Sequence, residues 1–388
     1  MMAASVDTLL LLAFAAWLVL LVAQLRLLAE PETPARNDPP PISILKPLKG
    51  ADPDLEGNLE SFFQLDYPRY EVVFSFASKD DPAFAVARRV ADRNPNVEAT
   101  FVIDPREPGA NPKVCRLIAA ERHARFANVL VSDGDVRIGQ RDLRAIAAEL
   151  DDRSVGLVSN PFRGAGGRCL GARVEDLHFG AFVFAGTAAV SRLAGRPCVV
   201  GKSILLSREA LGSIGGFAAV KDHLAEDFLL GDLVSREGYR VALSARVLVT
   251  HCARKTVRAF WDRQLRWARM RRRLAGPAYF AEALASPIPW LAITAVAGGF
   301  AAPGWLLLAL AVYLAGEAVR LRGLGVKGIA PNLPLVVLKD FLFFGVFWAS
   351  LASYRTQWRG KSVELGERTL IVDPAAEEAR EIFAGART

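Results

Sequence analysis

The stretch Val129-Leu-Val-Ser-Asp-Gly-Asp-Val-Arg-Ile138 decides how the rest of the chain is interpreted. Its apolar run ends at Ser132, and two carboxylates follow one residue apart, at Asp133 and Asp135. Such a run is typical of a buried strand, and open α/β sheets bind ligands at the carboxyl ends of strands. Residues i and i+2 point the same way, so the two carboxylates are predicted to converge. A hard divalent cation, Mg2+ or Mn2+, shared with a substrate diphosphate would balance their charge; a solvated turn is the alternative.

Three apolar zones indicate a membrane protein. The chain of 388 residues is 52% hydrophobic, and its mean hydropathy of +0.23 is too high for an ordinary soluble enzyme. Zone 8–28 is long enough to span a bilayer and lacks the basic start of a signal peptide, so we expect an anchor. Zone 287–314 predicts one tilted span or a tight hairpin. Zone 333–353 carries Lys339 and Asp340, and because charges are costly at the bilayer centre we expect it to re-enter or lie in the interface.

The distribution of charge predicts how the chain is oriented. The formal net charge is +7, and the arginine clusters flank the apolar zones, which the positive-inside rule places in the cytoplasm. Basic residues that follow membrane edges attract anionic lipid and argue against nucleic acid as a partner. The four cysteines form no CxxC pair, which argues against a zinc site and a disulfide framework. We therefore expect a multi-pass protein of a bacterial inner membrane whose soluble domain faces the cytoplasm.

The soluble region alternates strand-like and helix-like segments, which predicts an α/β fold. Besides the strand before Asp133, strands are predicted at 41–45, 71–76 and 97–103. The predicted sheet is Rossmann-like and mostly parallel, with helices on both faces, and its ligand loops gather at the carboxyl ends of the strands. The loops of functional character fall at those ends or just before the next helix, at 46–50, 79–83, 107–113 and 132–137.

Two loop residues fit a nucleotide diphosphate as well as they fit an ordinary structural role. Asp81 ends the second predicted strand, where its carboxylate would accept an N–H group of a nucleobase or cap the following helix. Lys113 suits a diphosphate if its loop lies over a cleft, and is otherwise one solvated lysine among many. Gly201-Lys-Ser203 lacks the upstream glycine spacing of a P-loop.

Two later motifs carry the strongest chemical signal. Glu226 and Asp227 lie in an apolar stretch, where a carboxyl pKa rises and suits a general base; a helix cap is the alternative. Arg263 and Arg266 share one face of a predicted helix, beside Trp267. Arginine suits the charge of a departing diphosphate, and the tryptophan suits an acceptor channel. A basic helix beside the membrane with an interfacial tryptophan is the alternative.

The chain resembles the ceramide glucosyltransferases in the order of four motifs that follow an N-terminal anchor. These motifs are Asp81, Asp133-Gly-Asp135, Glu226-Asp227 and Arg263-Gln-Leu-Arg-Trp267. The further motifs of this resemblance are Ile44-Leu-Lys-Pro-Leu-Lys-Gly50, Asp81-Pro-Ala83, Asn111-Pro-Lys113, Gly215-Gly-Phe217 and Trp358-Arg-Gly360. The resemblance covers most of residues 41–275. It implies a GT-A fold and an inverting glycosyltransferase similar to family two.

The resemblance also implies which residues form the site. The nucleotide-sugar would be bound by Lys46, Asp81, Lys113, Asp133 and Glu226. The metal would be held by Asp133 and Asp135. The catalytic residues would be Asp227, as base, with Arg263, Arg266 and Trp267 at the diphosphate and acceptor.

We predict four regions on this basis: an N-terminal transmembrane anchor at 1–30, a GT-A domain at 41–275, membrane segments at 286–353 and a cytoplasmic tail at 354–388. The expected reaction moves glucose or another hexose from a UDP-sugar to the hydroxyl of a ceramide-like lipid and gives a β-glycosylceramide. A hopanoid-associated N-acetylglucosaminyltransferase and a polyprenyl-phosphate sugar transferase are the enzymatic alternatives. The non-enzymatic alternative is a membrane-anchored protein that binds the sugar nucleotide or lipid without catalysis.

Overall fold

A computed structural model describes residues 2–373 of the chain, apart from 32, 35, 37, 252–253 and 299–302. The helices are α1 (Met2–Ala29), α2 (Leu55–Glu60), α3 (Pro82–Arg93), α4 (Pro112–Glu121), α5 (Asp142–Ala148), α6 (Leu170–His178), α7 (Ala185–Arg192), α8 (Arg208–Ser213), α9 (Glu226–Arg236), α10 (Val257–Ala275), α11 (Pro287–Val296), α12 (Pro303–Gly323) and α13 (Leu333–Leu351). A π-helical turn, Phe179–Phe184, connects α6 to α7.

The strands form a central seven-stranded sheet and two smaller sheets. They are β1 (Ile42–Pro47), β2 (Tyr70–Phe76), β3 (Glu98–Ile103), β4 (Asn128–Ser132), β5 (Val136–Arg137), β6 (Val155–Ser159), β7 (Phe162–Ala165), β8 (Ser203–Ser207), β9 (Arg240–Leu243), β10 (Leu248–His251), β11 (Arg355–Trp358), β12 (Lys361–Leu365) and β13 (Ile371–Val372). The central sheet has the order β3-β2-β1-β4-β8-β6-β9. Only β8 runs antiparallel to its neighbours in this sheet, which confirms the predicted mostly parallel arrangement.

The central sheet is buried on both faces, which explains why its strands have continuous apolar runs. Val72 and Phe74 of β2 pack into one core with residues of α2 and α3. Val73, which points the other way, packs into a second core with residues of α4 and α9. The predicted helices on both faces are therefore present, and all four predicted strands form within one or two residues of their predicted bounds.

A small sheet of order β5-β10-β7 lies next to the end of β4. Strand β10 pairs antiparallel with β5 and parallel with β7. His251 of β10 donates its backbone N–H to the carbonyl oxygen of Asp135 at 2.8 Å. Because Asp135 lies between β4 and β5, this sheet determines where the Asp-Gly-Asp turn lies.

Three helical segments are long and apolar enough to cross a membrane: Ser5–Ala29, Gly304–Gly323 and Ala330–Leu351. The count among the described residues rises to four if Val257–Leu284 and Pro287–Val296, which meet at 55°, form one bent span. The first segment agrees with the predicted anchor. The second predicted zone contains α11 and the start of α12.

The charges in α13 are neutralised inside the protein. Lys339 Nζ lies 2.8 Å from Asp340 Oδ1, and Tyr313 of α12 donates its hydroxyl to Asp340 Oδ2 at 2.6 Å. The expectation that this zone re-enters or lies in the interface was based on the cost of a charge at the bilayer centre and on the basic residues at both flanks. The ion pair lowers that cost, and the basic flanks are unaffected by it. By length and composition α13 qualifies as a span, and its position in a bilayer stays a prediction.

The segment after α13 folds back onto the soluble domain. Strands β11, β12 and β13 form an antiparallel sheet, and Leu370 makes a β-bridge with His223. The region predicted as a tail from 354 thus packs against the soluble domain as far as Val372, because Thr369 and Ile371 make backbone hydrogen bonds with Leu224 and Asp222. Residues 374–388 of the predicted tail lie outside the described residues.

We expect the substitution Asp340→Leu to destabilise the protein by roughly 3–5 kcal/mol, because it leaves the buried Lys339 ammonium without its counter-charge. Thermal unfolding of the purified protein in detergent micelles measures the change. The double variant Lys339→Met/Asp340→Leu removes both charges and should recover most of the loss. Equal unfolding temperatures for the single variant and the unchanged protein would show that the ion pair contributes nothing.

Candidate active site

A cavity of about 900 Å3 lies at the carboxyl end of β4 and extends to α1. One end is lined by charged and aromatic side chains, namely Lys113, Asp133, Asp135, Lys202, Glu226, Asp227, Arg263, Arg266, Trp267, Trp358 and Arg359. This set includes the predicted catalytic and metal-binding residues. Two predicted nucleotide-sugar ligands, Lys46 and Asp81, are outside the lining that the described residues provide.

Two lysines neutralise the aspartates that follow β4. Lys202 Nζ lies 2.5 Å from Asp135 Oδ2 and 3.6 Å from Asp133 Oδ2. Lys113 Nζ lies 2.8 Å from Asp133 Oδ1. Lys202 reaches this position because β8 pairs antiparallel with β4, with Ser203 opposite Ser132. The Asp133 N–H also donates to the Lys202 carbonyl oxygen at 3.0 Å.

The Asp135 carboxyl stays ionised in this surrounding. Burial, the largest single influence, would raise its pKa, but Lys202, Arg263 and Lys255 together outweigh burial and lower the pKa of Asp135 to about 2. Its Oδ1 atom is buried and has no hydrogen-bond partner among the described residues. An ionised carboxylate with one unused buried oxygen suits a cation better than it suits a solvated turn.

Lys113 connects the aspartates of β4 with the acids of α9. Asn111 caps α4 by accepting the Lys113 backbone N–H at 3.0 Å, which directs the lysine into the cavity. The Lys113 ammonium lies 3.0 Å from Glu226 Oε1 as well as close to Asp133. Burial opposes the charged form, but these two carboxylates together hold the pKa of Lys113 above its usual value. Lys113 is therefore a partly buried lysine whose charge is paired with carboxylates.

Asp227 has the environment of a proton acceptor. Its Oδ2 accepts the Gly201 N–H at 2.5 Å, and its Oδ1 accepts the Phe228 N–H at 2.8 Å. Burial and the neighbouring Glu226 carboxylate raise the pKa of Asp227 to about 7. A Cβ atom at position 201 would lie 2.7 Å from Asp227 Oδ2, so glycine is needed for this close approach.

The two arginines and the tryptophan of α10 line the cavity. Arg263 Nη1 lies 3.5 Å from Oε2 of Glu175, a residue of α6 that is only 1% exposed. The Trp267 ring stacks on Phe179 at a centroid distance of 5.8 Å. Arg263 and Arg266 lie on α10 as predicted, and both side chains line the charged end of the cavity.

Lys46 and Asp81 have structural partners. Lys46 is fully buried, donates to Ser132 Oγ at 3.2 Å and to the Asp133 carbonyl at 2.9 Å, and lies 3.5 Å from the centre of the Phe62 ring. Burial lowers the pKa of Lys46 to about 7. Asp81 is the N-cap of α3 and also accepts the Gly50 N–H at 2.8 Å. A direct contact of either residue with a nucleotide stays a prediction.

The sequence interpretation missed three parts of this site. The sequence showed only that Lys202 is not part of a P-loop. Its contact with Asp135 was missed because Asp135 lies 67 residues upstream, after β4. Glu175 has no local motif, and its contact with Arg263 depends on the packing of α6 against α10. The third part is the tip of the β11–β12 hairpin, Trp358 and Arg359, which belongs to a motif of the resemblance but had no predicted role.

A metal at this site would depend on few protein ligands. Among the described residues, no group of three or more histidine, cysteine, aspartate or glutamate side chains is arranged to hold a metal ion. Asp133 and Asp135 could supply two sides of a coordination shell. The remaining ligands would have to be oxygen atoms of a bound molecule or water.

The solved structures include one with a similar fold. The mannosyltransferase PcManGT from Pyrobaculum calidifontis, solved in complex with GDP-Man and Mn2+, superposes with a TM-score of 0.58 at 22% sequence identity. The comparison covers 91% of this chain and 99% of that one. The likeness shows the fold and confirms the predicted GT-A architecture with additional apolar helices.

The sequence comparisons identify the family. The family model of glycosyl transferase family 21 matches residues 7–371, and the chain therefore belongs to that family. Ceramide glucosyltransferase 1 of Caenorhabditis elegans is 30% identical over 234 residues, which is 60% of this chain and 50% of that protein. A ceramide glucosyltransferase of Komagataella phaffii is 28% identical over 195 residues, or 44% of this chain and 38% of that protein. The chain spans about half the length of the first of these relatives.

Proposed function

We propose that the chain is a membrane-bound inverting glycosyltransferase that transfers a hexose, glucose in the first instance, from a UDP-sugar to the hydroxyl of ceramide. One observation carries this proposal: the charged end and the apolar end of the site belong to a single cavity. A sugar nucleotide needs the first, and a lipid needs the second. The named relatives are ceramide glucosyltransferases, which favours ceramide over a hopanoid or a polyprenyl phosphate.

The apolar end supports a lipid acceptor. Ala16, Val19 and Leu20 of α1 line it, and they lie near the middle of the candidate span Ser5–Ala29. Val190 of α7 and Leu274 of α10 line it as well. The candidate span and the predicted catalytic residues line the same cavity. A lipid could therefore keep its hydrocarbon chain in apolar surroundings while the lipid hydroxyl reaches the charged end.

The charged end supports a diphosphate donor with a divalent metal. Lys113, Lys202 and Arg263 provide positive charge at the carboxyl end of β4. Asp133 and Asp135 would hold Mg2+ or Mn2+. The buried Oδ1 atom of Asp135, for which the described part of the chain offers no hydrogen-bond partner, fits that role. A bound divalent cation neutralises charge on a diphosphate leaving group. The fold relative that was solved with GDP-Man and Mn2+ has a donor of the same class.

Asp227 is the proposed base. The acceptor oxygen attacks the anomeric carbon, the bond from that carbon to the diphosphate oxygen breaks, and the hydroxyl proton passes to Asp227. Arg263 and Arg266 stabilise the negative charge on the departing UDP. One displacement converts an α-linked donor into a β-glycoside, so no covalent intermediate on the protein is needed.

We further propose that the protein is multi-pass and that its catalytic domain, including the folded segment up to Val372, lies on the cytoplasmic side of a bacterial inner membrane. The basic helix α10 carries Arg269, Arg271 and Arg272 between the catalytic arginines and α11. The positive-inside rule supports a cytoplasmic location for this helix.

We expect membranes that contain the protein to convert ceramide to glucosylceramide when they are given labelled UDP-glucose. Parallel incubations with UDP-galactose, UDP-N-acetylglucosamine and UDP-glucuronic acid, followed by lipid analysis, identify the sugar. A hopanoid and a polyprenyl phosphate are offered as competing acceptors. A product formed only on one of these competitors would replace the ceramide assignment. The absence of any lipid product would contradict the proposed activity.

The substitution Asp227→Asn is expected to lower kcat by at least about 100-fold, because general-base catalysis is worth roughly 100- to 10,000-fold. Donor affinity should change little. In the unchanged protein kcat/KM for the acceptor should rise by about tenfold per pH unit and level off above about pH 7, where Asp227 is deprotonated. In the variant this rise should be absent. Collapse of donor binding with residual turnover would instead make Asp227 a helix cap.

Asp135→Ala is expected to abolish metal-dependent UDP binding while the protein stays folded. Calorimetric titration with UDP, in the presence and absence of Mn2+ and Mg2+, measures binding without turnover. In the unchanged protein EDTA should remove both UDP binding and activity, and added Mn2+ should restore them. Full activity in EDTA, or normal UDP affinity of the variant, is incompatible with the proposed metal site.

A further inference from the structure

The last of the described residues contact the loop that precedes the proposed base. We name residues 366–372 the C-terminal clasp and residues 221–225 the base loop. Thr369 of the clasp accepts the Leu224 N–H on its carbonyl oxygen at 2.9 Å and the Ala225 N–H on its hydroxyl at 3.0 Å. Ile371 donates its N–H to the Asp222 carbonyl at 2.8 Å. These bonds extend over most of the base loop.

The base loop determines where α9 begins. Ala225 is the N-cap of α9 and has no side chain that could make a capping hydrogen bond. Glu226 and Asp227 are the first two residues of that helix. The Thr369 hydroxyl thus accepts the N–H of Ala225, the residue directly before both acids. Thr369 lies 144 residues further along the chain.

The same loop also holds the start of α4. Asn111 donates its backbone N–H to the Lys221 carbonyl at 2.8 Å and its side-chain amide to the His223 carbonyl at 2.8 Å. Asn111 in turn caps the helix turn that carries Lys113. A displacement of the base loop would therefore reach Asp227 directly and Lys113 through Asn111.

The conformation of Thr369 indicates that its side chain is needed. Its φ angle is +65°, in the left-handed region, and the preceding Arg368 has a φ of +49°. A β-branched residue is unfavourable there, whereas glycine adopts this region without strain. Thr369 is also fully buried. A buried β-branched residue in this backbone region is explained by the hydroxyl that it offers to Ala225.

We propose that Thr369 is a positioning residue for Asp227 and that the C-terminal clasp completes the active site. The inference depends on the proposed role of Asp227 as base. Strands β11 and β12 connect α13 to the clasp. The clasp therefore also links the last candidate span to the base loop. Small displacements of a catalytic group are costly in turnover, because proton transfer needs hydrogen-bond geometry.

The test compares three substitutions at one position with a matched control. Thr369→Val preserves shape and removes the hydroxyl, Thr369→Ser keeps the hydroxyl, and Thr369→Gly removes both the hydroxyl and the backbone strain. Thr356→Val makes the isosteric change in β11, which belongs to the same sheet as the clasp strand β13, and Thr356 is also buried. For each variant, kcat, the donor KM and amide hydrogen exchange of a peptide spanning 221–230, which reports the Leu224 and Ala225 amides, are measured.

We expect Thr369→Val to lower kcat about 10- to 100-fold with donor KM within about twofold of the unchanged protein, and to speed exchange at Ala225. Thr369→Ser should keep near-normal turnover, and Thr356→Val should match the unchanged protein. If Thr369→Val does not fold, Thr369→Gly provides the same test, because it is free of strain and lacks the hydroxyl.

Two results would overturn the inference. One is normal kcat and normal exchange in both variants that lack the hydroxyl. The other is a Thr369→Ser protein as slow as Thr369→Val. Failure of the proposed function gives a different result, since the unchanged protein would then transfer no sugar to lipid. The amide-exchange comparison would still report whether the hydroxyl holds the base loop.

Discussion

The structure depends on a balance of charge at the carboxyl end of β4. Two acids follow β4 and two begin α9, and acids gathered in a partly buried cavity repel each other. Lys113 lies between the two groups, with its ammonium 2.8 Å from Asp133 and 3.0 Å from Glu226, and Lys202 contacts Asp135. In the proposed reaction Asp133 and Asp135 would hold a divalent cation, which would supply positive charge to the aspartates and to the diphosphate. Lys113 and Lys202 would then be available to contact the diphosphate.

The candidate membrane helices and the soluble domain are connected through polar contacts as well as apolar ones. Arg320 of α12 is fully buried and donates to Glu317, to Gln24 of α1 and to the Ala181 carbonyl, at 2.9, 2.7 and 3.0 Å. Ala181 belongs to the π-helical turn, whose Phe182 lines the cavity. Because an unpaired charge between apolar helices is costly, these groups favour one arrangement of the helices. The wall of the proposed lipid site is therefore connected to the helices that would lie in the membrane.

Much of the fold was accessible from local sequence patterns. Buried parallel strands leave continuous apolar runs, and the strand before Asp133 and the strand 71–76 formed as predicted for that reason. The acids at 226 and 227 were recognisable because carboxylates are unusual in an apolar stretch. Asp81 was ambiguous, since a strand end and a helix N-cap favour the same residue type; its capping role became apparent only from its contacts with Gly50 and Ala83.

The sequence by itself determined the alternation of strands and helices, the apolar helices and the acids and arginines of the site, because each of these leaves a signal within one continuous stretch of the chain. Only the tertiary structure decided the partners. Lys202 reaches Asp135 because β8 inserts antiparallel beside β4. Lys339 is neutralised by Asp340 within a helix whose charges had argued against a span. Thr369 meets Ala225 because the chain returns after α13. Hydrogen bonds and ion pairs between distant segments depend on packing, and packing leaves no periodic pattern in the sequence.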